Sequence, residues 1–552
     1  MPVSSTNKRK EHINEILSSQ FDLIVIGGGI TGAGIAWDAT LRGLKVLLLE
    51  QNDYASGTSS KSTKLIHGGL RYLKQLKFKQ VFEVGRERAI VHKIARFLVR
   101  PDKMLLPIYK NGSLSRIMAA IALKVYDTLA GVGKLDSFTY HSKEKTIILE
   151  PLLSSRDLLG SFLYAEYQTD DHRLTWTLLQ SAIKKGAICL NYAKVNQIKT
   201  DENQIISAVC FEDTITSEIF QINTTLVVNA AGPWVVDVIA FDAFPPLKEL
   251  LLSKGTHIVI SHTKFPLQQA LYYDDFEKKR MIFAIPKGNI TYVGTTDIEF
   301  TGDKNKIYSS RIEVNYLIKT IQSLFPQLSI DVSDIISSWV GVRPLIKEPG
   351  KKSTEVSRKD EIFVSPSGLI SIAGGKLTGF RKMAEKVVNL LVKSHFKDKI
   401  GLKESGITKN TLLEGNSFKS ESDLYNYIVK VKDLFTDLDF EPNLAPVLIK
   451  RYGDKIDIII DLIVNKLNVN DKMECLLEAE IKYGIYHEMI YFPTDFVQRQ
   501  TGMLWFDRPL CNSKKNFILD VFALEFQWDD KIKSLERKKL DQLLDTVLDF
   551  KD

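Results

Sequence analysis

The stretch Asp22-Leu23-Ile24-Val25-Ile26-Gly27-Gly28-Gly29-Ile30-Thr31-Gly32 constrains this chain more than any other. It is followed at a fixed distance by Lys45-Val46-Leu47-Leu48-Leu49-Glu50. The order is apolar strand, glycine turn, helix, second apolar strand, acid, which is the dinucleotide-binding fingerprint. Gly27 allows the tight turn, Gly29 lets the backbone approach a pyrophosphate, and Gly32 lets the helix pack close to the strand. The helix N-terminus then turns its positive dipole end to the phosphates. Glu50 ends the second strand, where a carboxylate can accept hydrogen bonds from ribose hydroxyls.

A chain of 552 residues exceeds one hydrophobic core, so two or three domains are expected. An apolar fraction of 44% and a charged fraction of 26% are those of a globular protein. The 74 Lys and Arg residues against 67 Asp and Glu leave a net charge of +7. That mild excess suits small anions or an anionic membrane face, and no nucleic-acid-binding signature accompanies it. The four cysteines, Cys189, Cys210, Cys475 and Cys511, form neither a CxxC pair nor a metal-ligand spacing. They indicate buried structural thiols in a reducing compartment, and no metal site is expected. The polar first 20 residues, with Lys8-Arg9-Lys10, are not a signal peptide. The most apolar long segment, Ile117 to Val132, contains Lys124 and Asp127 and reads as an amphipathic or buried helix rather than a membrane span.

The helix after the glycine turn is expected from about Thr31 to Arg42, stopped by Gly43. Ser56 to Lys64 reads as a hydroxyl-rich loop able to cradle phosphate or flavin, with Ser59 and Ser60 as candidate contacts. A helix is expected over residues 79 to 99. Leu226 to Trp234 is an apolar strand ending in small residues, with Ala231 and Gly232 placed against the cofactor. Residues 256 to 300 alternate as antiparallel strands of a second domain. A cofactor-type strand returns at Leu369 to Gly375, with a helix from near Thr378 to about Lys393. Residues 394 to 420 read as a linker, and 421 to 552 as a helical domain.

The dinucleotide is NAD or FAD. The N-terminal position of the fingerprint and the second turn near Gly374 and Gly375 favour FAD, a long cofactor reached from several directions. Cations cluster near glycine turns: Arg71, beside the phenol of Tyr72, after Gly68 and Gly69, then Arg343 before Pro344, Arg358, and Lys376 and Arg381. Taken singly each is an ordinary surface or ion-paired residue. Taken together they suggest an anionic substrate, because guanidinium forks and ammonium groups match phosphate oxygens.

Three blocks resemble the FAD-dependent glycerol-3-phosphate dehydrogenase family. Ile26 to Asp38 with Arg42-Gly43 looks like its first signature, Lys64 to Leu73 is similar to the next block, and Gly374 to Ala384 resembles its second signature. The likeness runs from about residue 20 to 395, and the helical tail resembles the family's C-terminal domain. Phe380 stands where the family usually has Tyr, which removes a hydroxyl. The tail lacks the EF-hand pattern of the calcium-regulated type.

The resemblance implies an α/β fold in three parts. A glutathione-reductase-like, Rossmann-type FAD domain would comprise 21–100, 160–240 and 350–395. An antiparallel-sheet substrate domain would comprise 101–159 and 241–349, and a helical domain 396–552. It implies oxidation of sn-glycerol 3-phosphate to dihydroxyacetone phosphate by hydride transfer to FAD, with electrons passing to a membrane quinone. The alternative is an oxidase that passes them to oxygen and makes hydrogen peroxide. The family's oxidases carry an insertion not recognised here. By carry-over, Arg71, Tyr72, Arg343 and Lys376 surround the substrate, and Arg358 stabilises phosphate or the reduced flavin. His257 is the candidate general base, since an unperturbed imidazole titrates near neutrality. Leu377 and Thr378 join the cofactor contacts. A cytoplasmic enzyme peripheral on the inner membrane face is expected, with contact through Arg116 to Lys134. An amine or hydroxy-acid oxidase would need fewer cations, and a non-catalytic flavin scaffold would not need His257, Arg343 and Lys376 together.

Overall fold

A computed structural model describes residues 5–67, 78–130, 137–244, 249–278, 280–347, 360–465 and 471–551. The first strand, Leu23–Ile26, is apolar at every position and buried at every position. That pattern belongs to a strand covered on both faces. It lies between Val46–Leu49 and Val227–Asn229 in a six-stranded sheet, flanked further out by Ile188–Leu190 on one side and Ile370–Gly374 on the other. These five strands are parallel, and Asp360–Val364 closes the edge antiparallel. Alternate residues of the first strand serve two cores. Leu23 and Val25 pack with Trp37, Ile372 and Val387 under the helices Ile30–Arg42, Asp171–Ile183 and Phe380–His395. Ile24 and Ile26 pack with Val195, Phe211 and with Ile13 and Ile16 of the N-terminal helix Ser5–Ser18. A three-stranded antiparallel sheet, Ala193–Thr200, Ile206–Asp213 and Glu218–Asn223, covers that second face.

The second unit is a ten-stranded, mostly antiparallel sheet. Its long strand Leu250–Ser261 pairs with Ile290–Gly294 and with Ile335–Ile346, setting His257 opposite both Gly294 and Trp339, and Ser253 opposite Arg343. The strand Leu158–Gln168 pairs with Arg100–Tyr109 in this sheet, so the boundary expected at residue 160 falls inside a strand of the second unit.

Beyond residue 420 the described chain is mostly helical, with Glu421–Asp437, Leu444–Tyr452, Ile456–Val464, Lys472–His487, Arg508–Phe526 and Asp530–Thr546 as the longer helices. Ser420 and Asp423 form a capping box at the first of these. The segment read as a linker is docked instead. Leu413 and Phe418 are buried, and Leu413 and Glu414 donate backbone hydrogen bonds to Ile94 O and Ser181 Oγ. Its polar composition hides two apolar anchors and a row of backbone donors. The glycine-turn helix ends at Gly43 in the left-handed conformation, as its residue type foretells. The helix expected over 79–99 ends earlier, spanning Phe78–Ile94. All four cysteines are buried, and none forms a disulfide. No helix among the described residues is long and apolar enough to cross a membrane.

Candidate active site

A cavity of about 430 Å³ opens at the carboxyl ends of the parallel strands, where the strand order reverses. On the parallel-sheet side its wall is mostly backbone. Gly27 has φ +109°, and a Cβ there would lie 2.7 Å from Ala230 O. A Cβ on Gly32 would lie 1.9 Å from Gly27 O, so only glycine lets the helix start this close to the strand. Gly29 precedes the helix with no side-chain cap, leaving its first amides aimed at the cavity. One of them, Ile30 N–H, donates to Ser59 Oγ at 2.9 Å. Ala231 and Gly232 line the wall from one strand end, and Gly374, Gly375, Leu377 and Thr378 from another. Gly374 and Gly375 have φ +82° and +88°. Gly32 and Ser60 sit behind the wall: the first is a packing residue, and the second is buried with its hydroxyl 3.5 Å from Gly57 O.

Glu50 lies on the wall but already accepts hydrogen bonds from Gly28 N–H at 2.6 Å and Asn52 N–H at 3.0 Å. Burial pushes its carboxyl up to about 7, against the pull of those two amides. A carboxylate offers about four acceptor positions, so two remain for ribose hydroxyls. A helix N-terminus uncapped by its own N-cap residue, glycines at two strand ends and a half-satisfied acid form a chemically consistent cradle for a dinucleotide.

The opposite wall comes from the large sheet and is made of side chains. Arg343 and Arg280 both face the buried carboxylate of Asp297, at 3.6 and 3.9 Å. Ser253 also donates to Asp297. Arg343 Nη2 donates to Thr295 Oγ1 at 3.3 Å, and a Cβ on Gly255 would lie 2.7 Å from that nitrogen. Two guanidiniums against one carboxylate leave a local positive excess, with Lys376 and Lys61 elsewhere on the cavity lining. Burial, with Arg499 nearby, lowers the Lys61 ammonium to about 8.

His257 does not line the cavity. Its ring is buried, stacked on Trp339 at 4.6 Å, and its Nε2 meets the hydroxyl of Thr63, which does line it, at 3.0 Å. Burial, with Arg343 and Lys64 close by, holds the imidazole well below its ordinary value, so it is neutral at pH 7. Gly294 makes room for it: a Cβ there would lie 2.1 Å from the ring. Arg381, part of the cationic run, is engaged elsewhere. It pairs with Glu87 and Glu385 and is buried. Phe380 is buried against Gly34 of the glycine-turn helix, an apolar setting with no use for a hydroxyl. Gly68, Gly69, Arg71, Tyr72 and Arg358 lie outside the described residues.

Arg280, Asp297, Thr63 and Lys61 were not legible as site residues in the sequence. Arg280 is signalled only by its place at the head of an alternating strand. Thr63 and Lys61 lie in the hydroxyl-rich loop but carry no mark that separates them from their neighbours.

A sequence model of the FAD dependent oxidoreductases matches residues 22–380, and one described as the C-terminal domain of alpha-glycerophosphate oxidase matches 406–533. Fold and cavity thus define an FAD-dependent oxidoreductase. The chain is 40% identical over 545 residues to the aerobic glycerol-3-phosphate dehydrogenase of Staphylococcus epidermidis, with 98% of each covered. It is 42% identical over 521 residues to that of Staphylococcus aureus, covering 94% of this chain and 93% of the other. The structure of a Bacillus halodurans glycerol-3-phosphate dehydrogenase complexed with FAD superposes with a TM-score of 0.83 at 36% identity, covering 99% and 98%. An L-α-glycerophosphate oxidase from Mycoplasma pneumoniae, at 18% identity and TM-score 0.54 over 68% of this chain and 95% of its own, shares the fold. The chain belongs to the FAD-dependent glycerol-3-phosphate dehydrogenase family.

Proposed function

We propose that this protein oxidises sn-glycerol 3-phosphate to dihydroxyacetone phosphate and passes the electrons to a membrane quinone. The observation that carries the substrate is the pair Arg343 and Arg280 on the wall facing the glycine turn. A phosphate between them replaces Asp297 as their main partner and gains charge-assisted hydrogen bonds. Lys376 adds a third cation from the other wall. Bound FAD supplies the acceptor for the C2 hydride. The C2 hydroxyl proton passes to Thr63 Oγ1 as that hydroxyl gives its own proton to His257 Nε2. A neutral imidazole can accept it, and the buried ring on Trp339 keeps the pair in register. Arg71, Tyr72 and Arg358 complete the substrate shell in this reading.

Quinone is favoured by the helix Arg116–Ala130. Ala119, Leu123 and Tyr126 face inward, while Ile117, Met118 and Ile121 are 73%, 51% and 59% exposed. Arg116 lies 3.9 Å over the Tyr140 ring at the head of this apolar face. An exposed apolar stripe with a basic flank suits the interface of an anionic inner membrane face. The cavity reaches Ser113 and Leu114, just ahead of this helix, where Tyr272, Met281 and Phe283 make its wall apolar. The test is reoxidation of the substrate-reduced protein. The quinone reading expects a soluble quinone analogue to outpace oxygen and Ile121→Glu to abolish flotation with anionic vesicles. Rapid reoxidation by oxygen with stoichiometric peroxide establishes the oxidase instead.

A further inference from the structure

We propose that the C-terminal helical domain completes the cofactor site, with Arg499 as a positioning residue that fixes the loop 51–64 against the glycine turn. The inference rests on FAD as the occupant of the cavity. This loop supplies much of the cavity wall, through Gln51, Ala55, Thr58 and Ser59 among others. It touches the glycine turn twice, through Ala55 N–H to Gly28 O at 3.1 Å and Ser59 Oγ to Ile30 N–H at 2.9 Å. Its internal hydrogen bonds, among them those of the turn Thr58–Ser60, leave two strained backbone points. Ala55 and Lys64 adopt φ +57° and +60°, a left-handed backbone that non-glycine residues keep only when their surroundings enforce it.

The enforcement comes from the far end of the chain. Asp53 is 1% exposed and accepts from Arg499 Nε at 2.8 Å, 446 residues away, and from Asn191 Nδ2 at 3.1 Å. Arg499 also pairs with Asp495, which takes the Tyr192 hydroxyl. The guanidinium therefore joins a loop carboxylate to a C-terminal-domain carboxylate in a buried setting, where removing one partner leaves an uncompensated charge. Arg499 sits in a π-turn, Phe496–Gln500, a feature that recurs at functional sites. Gln500 ties that turn down through Glu480 O at 3.3 Å. Next to Asp53, the Tyr54 hydroxyl meets Met489 Sδ of the same domain at 3.5 Å.

The other end of the loop is held the same way. Asp171 accepts from Ser62 N–H at 2.9 Å and Lys64 Nζ at 2.6 Å. Two residues on, Arg173 makes a bidentate pair with Glu488 at 2.6 and 2.7 Å and donates to Arg451 O at 2.8 Å. Both anchors of the loop thus run into the helical domain through buried charges.

The experiment uses full-length protein, stripped of FAD and reloaded. Arg499→Gln and Asp53→Asn are compared with wild type and with Lys514→Gln, which breaks a pair internal to the helical domain and away from both anchors. Flavin titration gives the FAD Kd, thermal unfolding the stability of the apoprotein, and hydrogen exchange the protection of amides 51–59. The proposal expects the FAD Kd to rise roughly tenfold or more in both loop-clamp variants, with faster exchange in the loop. Lys514→Gln should lower the apoprotein midpoint slightly while leaving the FAD Kd within about twofold of wild type. A folded Arg499→Gln whose FAD Kd stays within about twofold of wild type overturns the clamp and leaves the cavity reading intact. If that variant does not fold, Asp53→Asn decides by the same criterion. Wild-type apoprotein that takes up no FAD overturns both.

Discussion

The parallel sheet and the large mixed sheet build facing walls of one cavity by opposite means. At the parallel sheet the wall is backbone: Gly27, Gly29, Gly374 and Gly375 are there for the side chains they lack. At the large sheet it is side chains: Arg343 and Arg280 come from separate strands and converge on Asp297, and Thr295, at the end of a third strand, accepts from Arg343. The first wall binds whatever presents a pyrophosphate to a helix N-terminus. The second selects by charge placed through register.

The largest effect should come from breaking the backbone wall. Gly32→Val puts two further carbons where one already collides with Gly27 O. Purified protein should carry no flavin, and its absorbance spectrum checks this; normal flavin content would mean the turn can open. On the other wall, His257→Asn keeps a polar group beside Thr63 but removes the base. We expect kcat to fall by about 10²- to 10⁴-fold at saturating substrate, with FAD content unchanged. A loss under about tenfold would place the base elsewhere. Arg343→Ala should raise the KM for sn-glycerol 3-phosphate by about 10- to 100-fold, the scale of a lost charge-assisted hydrogen bond, with a smaller change in kcat. Arg280→Ala should act in the same direction. If either leaves KM unchanged in steady-state assays, that residue leaves the phosphate site.

The smallest effect concerns Glu50. Its folded carboxyl is raised to about 7, so its contribution to apoprotein stability is full below the ordinary carboxyl range and is lost as pH rises through about 7. Ribose hydroxyls favour the ionised form. FAD should therefore bind the apoprotein more tightly as pH rises through that window, and Glu50→Gln should flatten the trend in a titration series. Equal slopes for the two proteins would detach Glu50 from the ribose.

The same contrast decides what the sequence could disclose. The glycine turn, its helix and Glu50 lie within 30 consecutive residues, and each is marked by a residue type with one physical use. The strands around them are continuous apolar runs because both faces are covered. Arg343 was legible because a rigid proline follows it in a strand. Arg280 was not, since an arginine at a strand's start has many uses and only the pairing of separate strands brings it to Asp297. His257 was legible as a residue but not as one hidden behind Thr63. Least legible was Arg499, whose partner Asp53 is 446 residues away with no periodicity to link them. Residues 394–420 misled by composition, because two buried apolar side chains, Leu413 and Phe418, outweigh a polar majority.

The central claim is that the cations of the large sheet hold a phosphorylated alcohol against a flavin held by the glycine turn. Anaerobic mixing of the FAD-loaded protein with sn-glycerol 3-phosphate, followed by absorbance, tests it most directly. The account predicts rapid bleaching of the yellow flavin band with this substrate and negligible bleaching with glycerol at the same concentration. An unchanged band, or equal bleaching by glycerol, contradicts it.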